Sequence, residues 1–478
     1  MRGFFRMERS TDLGTRIPDI LRRIGSVADR FEMNVFAVGG YIRDLLLNGN
    51  GDHRDIDLTV VGDALVLAHQ LKQELGAKIL VTYKRFETTM MEVSGYKLEL
   101  VTARQEKYAP SSRQSFVKKA SPESDLARRD FTINAMAVGL NKDSWGTLYD
   151  PFKGLEDLRN RIIRTPLSPQ TTFEDDPLRI LRAVRFAALL DFRIEQRTQA
   201  AIQRMAHLLA SVAKERISDE LLKMLMGSKP SKGLALMDRL GIMPHVLPEL
   251  AEMKGVEQRS DFHHKDVFHH TLEVVDKTAR VSDKLKLRLA ALFHDVGKPS
   301  TKEFDDNVGW TFHRHDQVGA EMMEAIARRL RISKEVKSYI QKMIRLHLRP
   351  IFLASNEVTD TAIRRLIVQA GEDLDDLFQL SFADISSGNI NLVQEQLKNL
   401  ELVKERVALV RQKDKLLRFQ SPVDGFKIME VCKIPPGPVV GKLKAQIEEA
   451  ILDGKIPNDY QEALAYLHEI KDLFMGKA

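Results

Sequence analysis

Asp55 and Asp57 stand two residues apart in the run Asp55-Ile56-Asp57-Leu58-Thr59-Val60-Val61, whose polar–apolar alternation predicts a β-strand. Strand side chains alternate faces, so both carboxylates point the same way. Converging carboxylates repel one another unless a cation neutralises them. Mg²⁺ suits the arrangement, because it takes a few carboxylates together with substrate phosphate oxygens. Glu99 lies on a second strand-like run over residues 97–102. If the two strands are neighbours, Asp55, Asp57 and Glu99 make a catalytic set for metal-assisted, in-line phosphoryl transfer. Gly39-Gly40 end a short buried run, Val35-Phe36-Ala37-Val38, and open a helix predicted over 41–47. Backbone N–H groups at such a turn can cradle phosphates. A tight turn followed by two surface aspartates is the plainer reading; the order of the two motifs favours the metal–triphosphate site.

A second constellation could read a base. Asp176 and Arg179, in Asp175-Asp176-Pro177-Leu178-Arg179, are three apart on a predicted helix and so share a face. Cytosine and adenine each present an amino donor beside a ring-nitrogen acceptor, whereas uracil and guanine present a carbonyl beside an N–H. An ionised Asp only accepts and an Arg only donates, so the pair fits C or A. A mismatched base leaves buried polar groups unpaired, at about 1–3 kcal/mol each. Asp before Pro is also an ordinary helix start, and from the chemistry alone the two readings stand level.

Histidines and aspartates form a third. His270 lies in a helical run that begins at Asp266, and an apolar helix over 287–293 ends in His294-Asp295. His313, His315, His347 and Asp384 follow. Imidazole and carboxylate together suit Ni, Mn, Co, Fe or Zn, and such a centre can activate water for phosphoester hydrolysis.

These residues need elements to position them. The first ~150 residues mix strand-like and helix-like runs, with 131–138 read as helical. From about residue 174 onward the pattern is overwhelmingly helical, with apolar residues three and four apart, as in Val318, Met322, Ala325 and Ile326. Pro435-Pro436-Gly437-Pro438 breaks the helices near the end. The fold class expected is α+β, an α/β head followed by an all-helical body.

The 478 residues suit three or four domains, and 43% hydrophobic with 29% charged content is ordinary for a globular chain. No apolar run reaches the ~20 residues of a bilayer span. A single cysteine, Cys432, excludes an internal disulfide or a zinc site of Cys pairs, and suits a reducing cytoplasm. A net charge of +6 permits a nucleic-acid partner without proving one. Lys404, Arg406, Arg411, Lys413, Lys415 and Arg418 cluster late in the chain as a candidate RNA-contacting stretch, against the default of a solvated face.

Gly39-Gly40-Tyr41-Ile42-Arg43-Asp44, followed by Asp55-Ile56-Asp57-Leu58, resembles the head motif of class II tRNA nucleotidyltransferases, the CCA-adding enzymes and their bacterial poly(A) polymerase relatives. Glu99-Leu100-Val101-Thr102-Ala103-Arg104, the run from Asp125 to Met136, and Asp150-Pro151-Phe152-Lys153-Gly154 resemble further family motifs in order. The resemblance implies a nucleotide-binding set of Gly39, Gly40, Arg43, Arg129, Asp130, Asn134, Asp176, Arg179, Arg182 and Arg185, with Asp130 at the ribose. The family carries Glu-Asp-x-x-Arg where this chain has Asp175-Asp176-Pro177-Leu178-Arg179, so the first acid departs from the pattern. His270, His294-Asp295 and Asp384 resemble the HD phosphohydrolase superfamily, and His313, His315 and His347 match positions that accompany two-metal versions.

The implied domains are a nucleotidyltransferase head (1–165), a neck with the base-reading helix (166–235), an HD-type helical domain (236–400) and a helical RNA-binding tail (401–478). The implied activity is template-independent addition of CCA to the tRNA 3′ end from CTP and ATP, with Mg²⁺ at the head and a divalent transition metal at the HD site. An A-only adding enzyme or a poly(A) polymerase would share nearly all of these residues. An HD phosphohydrolase whose head only binds RNA is the rival from another class.

Overall fold

The computed structural model describes residues 13–48, 54–84, 87–109, 112–119, 121–258, 266–355, 359–386, 389–414 and 421–474. The chain forms two compact units, one of residues 1–224 with 232–246, the other of 225–231 with 247–478.

The first unit is built on a sheet. Its strands are β1 (Asn34–Val38), β2 (Asp55–Val61), β3 (Lys78–Tyr83), β4 (Thr88–Val93) and β5 (Tyr96–Thr102). A separate antiparallel hairpin follows, β6 (Arg104–Ala109) and β7 (Ser112–Lys119), then β8 (Ala137–Gly139) and β9 (Leu148–Tyr149) return to the sheet. The order is β3-β4-β5-β2-β1-β8-β9, antiparallel throughout except for the parallel pair β2–β5. A parallel pair needs a long crossover, and the helix Ala64–Leu75 with the β3–β4 hairpin supplies it.

That helix starts where the Asp63 carboxylate accepts from the N–H groups of Leu65 and Val66, and stops at Gly76, which is left-handed at φ 65°. It packs with the helix Asp19–Arg30 and against the sheet. Leu67 and Leu71 are buried there, as are Ile56, Leu58, Leu98 and Leu100 on the strands. Each such side chain contributes about 1.5–3 kcal/mol on burial. Alternation along β2 and β5 then leaves Asp55, Asp57 and Glu99 on the opposite face.

Residues 131–138 are not a helix. A short 3₁₀ turn at Thr132–Asn134 leads into β8, which pairs with β1 through Ala37↔Val138. Every residue from Phe131 to Leu140 is buried, Thr132 and Asn134 included, and a run buried on all sides carries no period by which to choose helix or strand.

Beyond the sheet, the helices Pro169–Asp175, Leu178–Leu190, Gln196–Met205 and Lys214–Leu225 follow in the first unit's part of the chain. Among the described residues, the second unit's regular structure is helical except for one short antiparallel pair, Glu303–Asp305 with Gly309–Thr311. It keeps residues 225–231 because buried Arg288 donates to the carbonyls of Leu225 and Gly227, while the Ser231 N–H and hydroxyl donate to Asp276. Near its end, Gly425–Cys432, Pro438–Leu452 and Tyr460–Phe474 share an apolar cluster that includes Ile428, Leu443, Ile447 and Leu467. In the helix Ile390–Asp414, Arg406 pairs with Asp360 at 2.9 Å and Lys404 with Glu401 at 3.5 Å. The Lys413 side chain, Lys415 and Arg418 lie outside the described residues. No described helix is long and apolar enough to cross a membrane.

Candidate functional sites on the sheet and among the helices

Strand register assembles the acids of the first site. Asp57 sits opposite Glu99, and Asp55 opposite Lys97, in the parallel β2–β5 pairing. Gly39 follows β1 with φ +77°, a left-handed conformation that favours glycine. A Cβ there would lie 2.7 Å from the Arg129 guanidinium and 3.3 Å from Asp57 Oδ2. The missing side chain therefore lets Arg129 reach the acids. Arg129 also donates to Asp125 at 3.4 Å, and Asp125 accepts the Thr59 hydroxyl at 3.1 Å.

Asp57 is open to solvent on one side, yet the protein crowding its other side raises its pKa. Arg129 opposes that rise and Asp55 adds to it. Glu99 is raised in the same way, by burial first and then by Asp57, against Arg129. A divalent cation among these oxygens would relieve the mutual repulsion, so the donor set fits a hard ion such as Mg²⁺.

A separate chain of hydrogen bonds runs from Asp44 to Arg182. Arg43 holds Asp44 through two bonds of 2.7 and 2.8 Å and donates to Asn134 Oδ1 at 2.9 Å. Asn134 donates to Asp130 at 3.0 Å, and Asp130 accepts two bonds from Arg182, at 2.8 and 2.6 Å. Arg182 and Arg185 both pair with buried Glu220. The guanidinium groups of Arg43, Arg182 and Arg185 lie 5.0, 5.4 and 4.2 Å from the Phe186 ring centre, within cation–π range. Burial pushes the Asp130 carboxyl up, but Arg182, Asn134 and the Phe131 N–H outweigh it, leaving the pKa below the ordinary value.

Asp176 and Arg179 do not share a helix face. Asp176 adopts an extended conformation between the helices Pro169–Asp175 and Leu178–Leu190, and caps the second through the Leu178 N–H. Arg216 grips both its oxygens, at 3.2 and 2.8 Å. Arg179, in the first turn of that helix, donates to the carbonyls of Thr172 and Arg128. The dipeptide Asp176-Pro177 starts a helix, as its chemistry allows, and also holds an acid and a cation at that start.

In the second unit the candidate ligands sit at helix ends or starts. His270 is on the first turn of Val267–Val281, His294 caps Leu285–Phe293, and His315 opens His315–Arg329. His347 caps Lys334–Leu346, and Asp384 ends Leu374–Asp384. All are buried. His270 Nε2 lies 2.9 Å from Asp384 Oδ1 and His294 Nε2 3.3 Å from it. Asp295 has His294 at 3.1 Å on one oxygen, with His315 at 3.5 Å and His347 at 3.8 Å on the other.

Tautomers are set from outside. The Nδ1–H groups of His294, His315 and His347 donate to the carbonyls of Ala291, Phe312 and Ile344, and His270 Nδ1 meets the Ser386 hydroxyl. Every Nε2 then faces inward. The Nε2 atoms of His315 and His347 and the Asp295 Oδ1 between them are buried without a hydrogen-bond partner, a cost a bound metal ion would remove. Ligand atoms gather in two groups, His270–His294–Asp295–Asp384 and Asp295–His315–His347, which share Asp295. The set fits a transition metal by its mixed nitrogen and oxygen donors. Burial lowers His294, but Asp295 and Asp384 outweigh it and push its pKa up to about 10. Burial brings His347 down to about 4.

His313 lies apart from the group. It is exposed, on the wall of a cleft of about 830 Å³ that Lys298, His315, Arg345, Arg349 and Phe352 also line. His269 is exposed too and bonds Asp266. Lys298, Gln258, Ser386, Glu220 and Arg216 escaped the sequence reading. Lys298 does follow His294-Asp295 by one helical turn, spacing that could have flagged it, and its ammonium meets Asp295 at 2.8 Å and Gln258 at 2.7 Å. Nothing local marks the other four.

Three family models match the chain: the Poly A polymerase head domain over residues 35–164, the Probable RNA and SrmB-binding site of polymerase A over 191–254, and the HD domain over 267–377. A CC-adding tRNA nucleotidyltransferase of Thermus thermophilus is 31% identical, over 91% of this chain and 93% of its own. An A-adding tRNA nucleotidyltransferase of Deinococcus radiodurans is 32% identical, over 72% and 78%. The solved structure of a CCA-adding enzyme with ATP superposes at a TM-score of 0.66 and 24% identity, covering 97% of this chain and 99% of that one, a likeness of fold.

Proposed function

Since the chain belongs to the tRNA nucleotidyltransferase family, we propose that it adds CCA, without a template, to the 3′ end of tRNA from CTP and ATP. One observation carries the reading. The segment Arg128-Arg129-Asp130 ties base reading to the acids, since the Arg128 carbonyl receives Arg179, Arg129 fills the space beside Gly39 and Asp57, and Asp130 holds Arg182.

Asp55 and Asp57 would hold Mg²⁺, with Glu99 assisting, and the ion would supply charge neutralisation on the triphosphate and activation of the RNA 3′-hydroxyl. Attack of that hydroxyl on the α-phosphorus forms the new phosphodiester and releases pyrophosphate. Gly40, the first residue of the helix Gly40–Asn48, presents its backbone N–H to the phosphates, and Arg129, beside Gly39, adds a positive charge there. Asp130, ionised and buried, acts at the ribose by holding Asn134 and Arg182 in place. Asp176, exchanging Arg216 for the base, accepts the exocyclic amino group common to C and A, and Arg179, in the first turn of the next helix, donates to the ring nitrogen. The head (1–165), neck (166–235), HD (236–400) and tail (401–478) divisions belong to this reading.

A tRNA transcript lacking CCA, incubated with Mg²⁺ and CTP, ATP or both, tests it at single-nucleotide resolution. Two additions with CTP and a third once ATP is present are expected. A-only addition or long A-tails would move the chain to its A-adding or poly(A) relatives.

The orphaned Nε2 and Asp295 atoms favour a second activity, a phosphohydrolase centre holding Ni, Mn, Co, Fe or Zn. His270, His294, Asp295 and Asp384 would hold one ion, and Asp295, His315 and His347 another; the metal would supply an activated water. His294 and then Lys298 favour the ionised form of Asp295, and the cleft cations Arg345 and Arg349 would draw the phosphate in. Phosphate release from nucleotide phosphoesters, lost in His294→Ala but kept in Asp57→Ala, is the expected result.

A further inference from the structure

Strand pairing extends the face that carries the acids. Asp57 on β2 sits opposite Glu99 on β5, Glu99 opposite Met90 on β4, and Met90 opposite Val81 on β3. Residues directly opposite one another in a sheet point the same way, so Met90 and Val81 continue the face of Asp57 and Glu99 towards the β3 edge. The neighbouring row, Thr59, Val101, Thr88 and Tyr83, adds Val101 and Tyr83 to that face. The row on the other side is charged: Asp55, Lys97, Glu92 and Lys78. Met90, Val81 and Tyr83 are 36, 42 and 49% exposed, whereas Met91 and Val93, on the opposite face of β4, are buried. Single exposed apolar residues are ordinary. These three adjoin one another, and the patch begins one strand spacing, about 4.8 Å, from Glu99.

We propose that Met90, Val81 and Tyr83 seat the nucleobase at the 3′ end of the acceptor RNA, by contact with its flat face. The side of approach follows from the chemistry. Phosphoryl transfer places the attacking and leaving oxygens in line, on opposite sides of the phosphorus. Gly39, which follows β1, and Arg129 beside it lie on the β1 side of the acids, and Arg179 reaches the adjoining Arg128 carbonyl. Pyrophosphate therefore leaves on that side, and the RNA 3′-hydroxyl comes from the β5–β4 side. A ribose that brings its 3′-oxygen beside Glu99 carries its own base over Met90 and Val81. Of the three residues only Tyr83 bears a hydrogen-bonding group. Thioether, aliphatic and aromatic surfaces accept any base, because every base has a π face. An acceptor end that changes identity after an addition needs such an indifferent seat, while choice of the incoming nucleotide belongs to Asp176 and Arg179. The proposal rests on the reading of the chain as one that extends RNA 3′ ends, and gives β3 and β4 a role apart from the acids, the triphosphate and base reading.

The test uses full-length protein, Mg²⁺ and two tRNA transcripts lacking CCA, one complete and one abasic at its 3′-terminal nucleotide. With the unaltered protein, loss of that base should lower kcat/KM for RNA by about tenfold or more, the scale of one stacked base. Met90→Thr/Val81→Thr, which keeps strand-favouring residues, should impose a similar loss on the complete transcript. Removing the base should then cost this variant less than about twofold more, because base and patch act through one contact. An unchanged KM for CTP shows that the variant is folded, and Met90→Leu/Val81→Ile should restore most of the rate. Should the double variant fail to fold, Met90→Thr alone meets the same comparison. Equal losses on base removal in variant and unaltered protein would overturn the proposal, and are what a contact between copies of the chain at this patch would give. Full-rate extension by the variant, or indifference of the unaltered protein to the missing base, would overturn it too. Failure of the unaltered protein to extend either transcript would instead sink the reading beneath it.

Discussion

In the sheet, Asp57 and Glu99 meet because two parallel strands pair in register; among the helices, Asp295 and Asp384 meet because helices end at the same point. The first pair faces solvent on one side. The second is buried, with His294, His315 and His347 oriented from behind by carbonyls and the inner nitrogens of His315 and His347 unpartnered. A site that must admit and release substrate phosphates at each turnover keeps its carboxylates spread and its repulsion unrelieved. One that keeps its ion fixes the ligands in advance and accepts the cost of burying them. The two are thus expected to respond differently to damage.

The largest separation comes from removing one acid of each. Asp57→Ala should lower nucleotide addition by roughly a thousandfold or more, with metal content at the helical centre unchanged by elemental analysis. Retained addition would place the chemistry elsewhere. Asp295→Asn, which removes the ligand shared by both groups, should weaken metal retention by about a hundredfold or more, since even outer-shell partners are worth 10–100-fold. Addition should stay within about twofold; a parallel loss would mean that the two centres act together.

A smaller change probes geometry without touching a ligand. In Gly39→Ala the new methyl meets Arg129 at 2.7 Å and the backbone is held at φ +77°. Addition should fall by about 10–100-fold, the scale of a displacement near 1 Å in an active site, and the helical centre should keep its metal. Full activity would show that Arg129 can sit elsewhere.

The smallest effect concerns stability. Asp130 is held below its ordinary pKa, so its contribution is complete above the unfolded value and is lost as pH falls through the lower folded one. Asp130→Asn should cost about 1–3 kcal/mol near neutrality, a buried-pair value reduced because Arg182 is 32% exposed. The difference from the unaltered protein should shrink below about pH 4 in urea melts. A pH-independent difference would assign the loss to packing.

What the sequence disclosed follows the same division. Alternation along Asp55-Ile56-Asp57 fixed the face of two acids, because strand geometry is a local rule. That Glu99 joins them depends on β2 pairing with β5 across a crossover, which alternation leaves conditional. The histidine centre was legible as residue types and family order. Its geometry was not, since His270 and Asp384 lie 114 residues apart in the chain. Residues 131–138 were misread because burial on every side erases period. Asp176 and Arg179 were placed on one helix face, whereas Asp176 precedes the helix and is held from a distant turn by Arg216. Arg216 and Glu220 were overlooked because their importance comes only from the partners that folding brings.

The span between His270 and Asp384 has a further effect. An ion bound at both closes a loop of more than a hundred residues, from the first turn of one helix to the end of another, and loops of that length gain most from being fastened. The second unit would then melt higher in proportion to the logarithm of free metal. Starved of metal, the chain would be cleared sooner by proteases. Its lifetime would report the supply of an ion that nucleotide addition itself never uses.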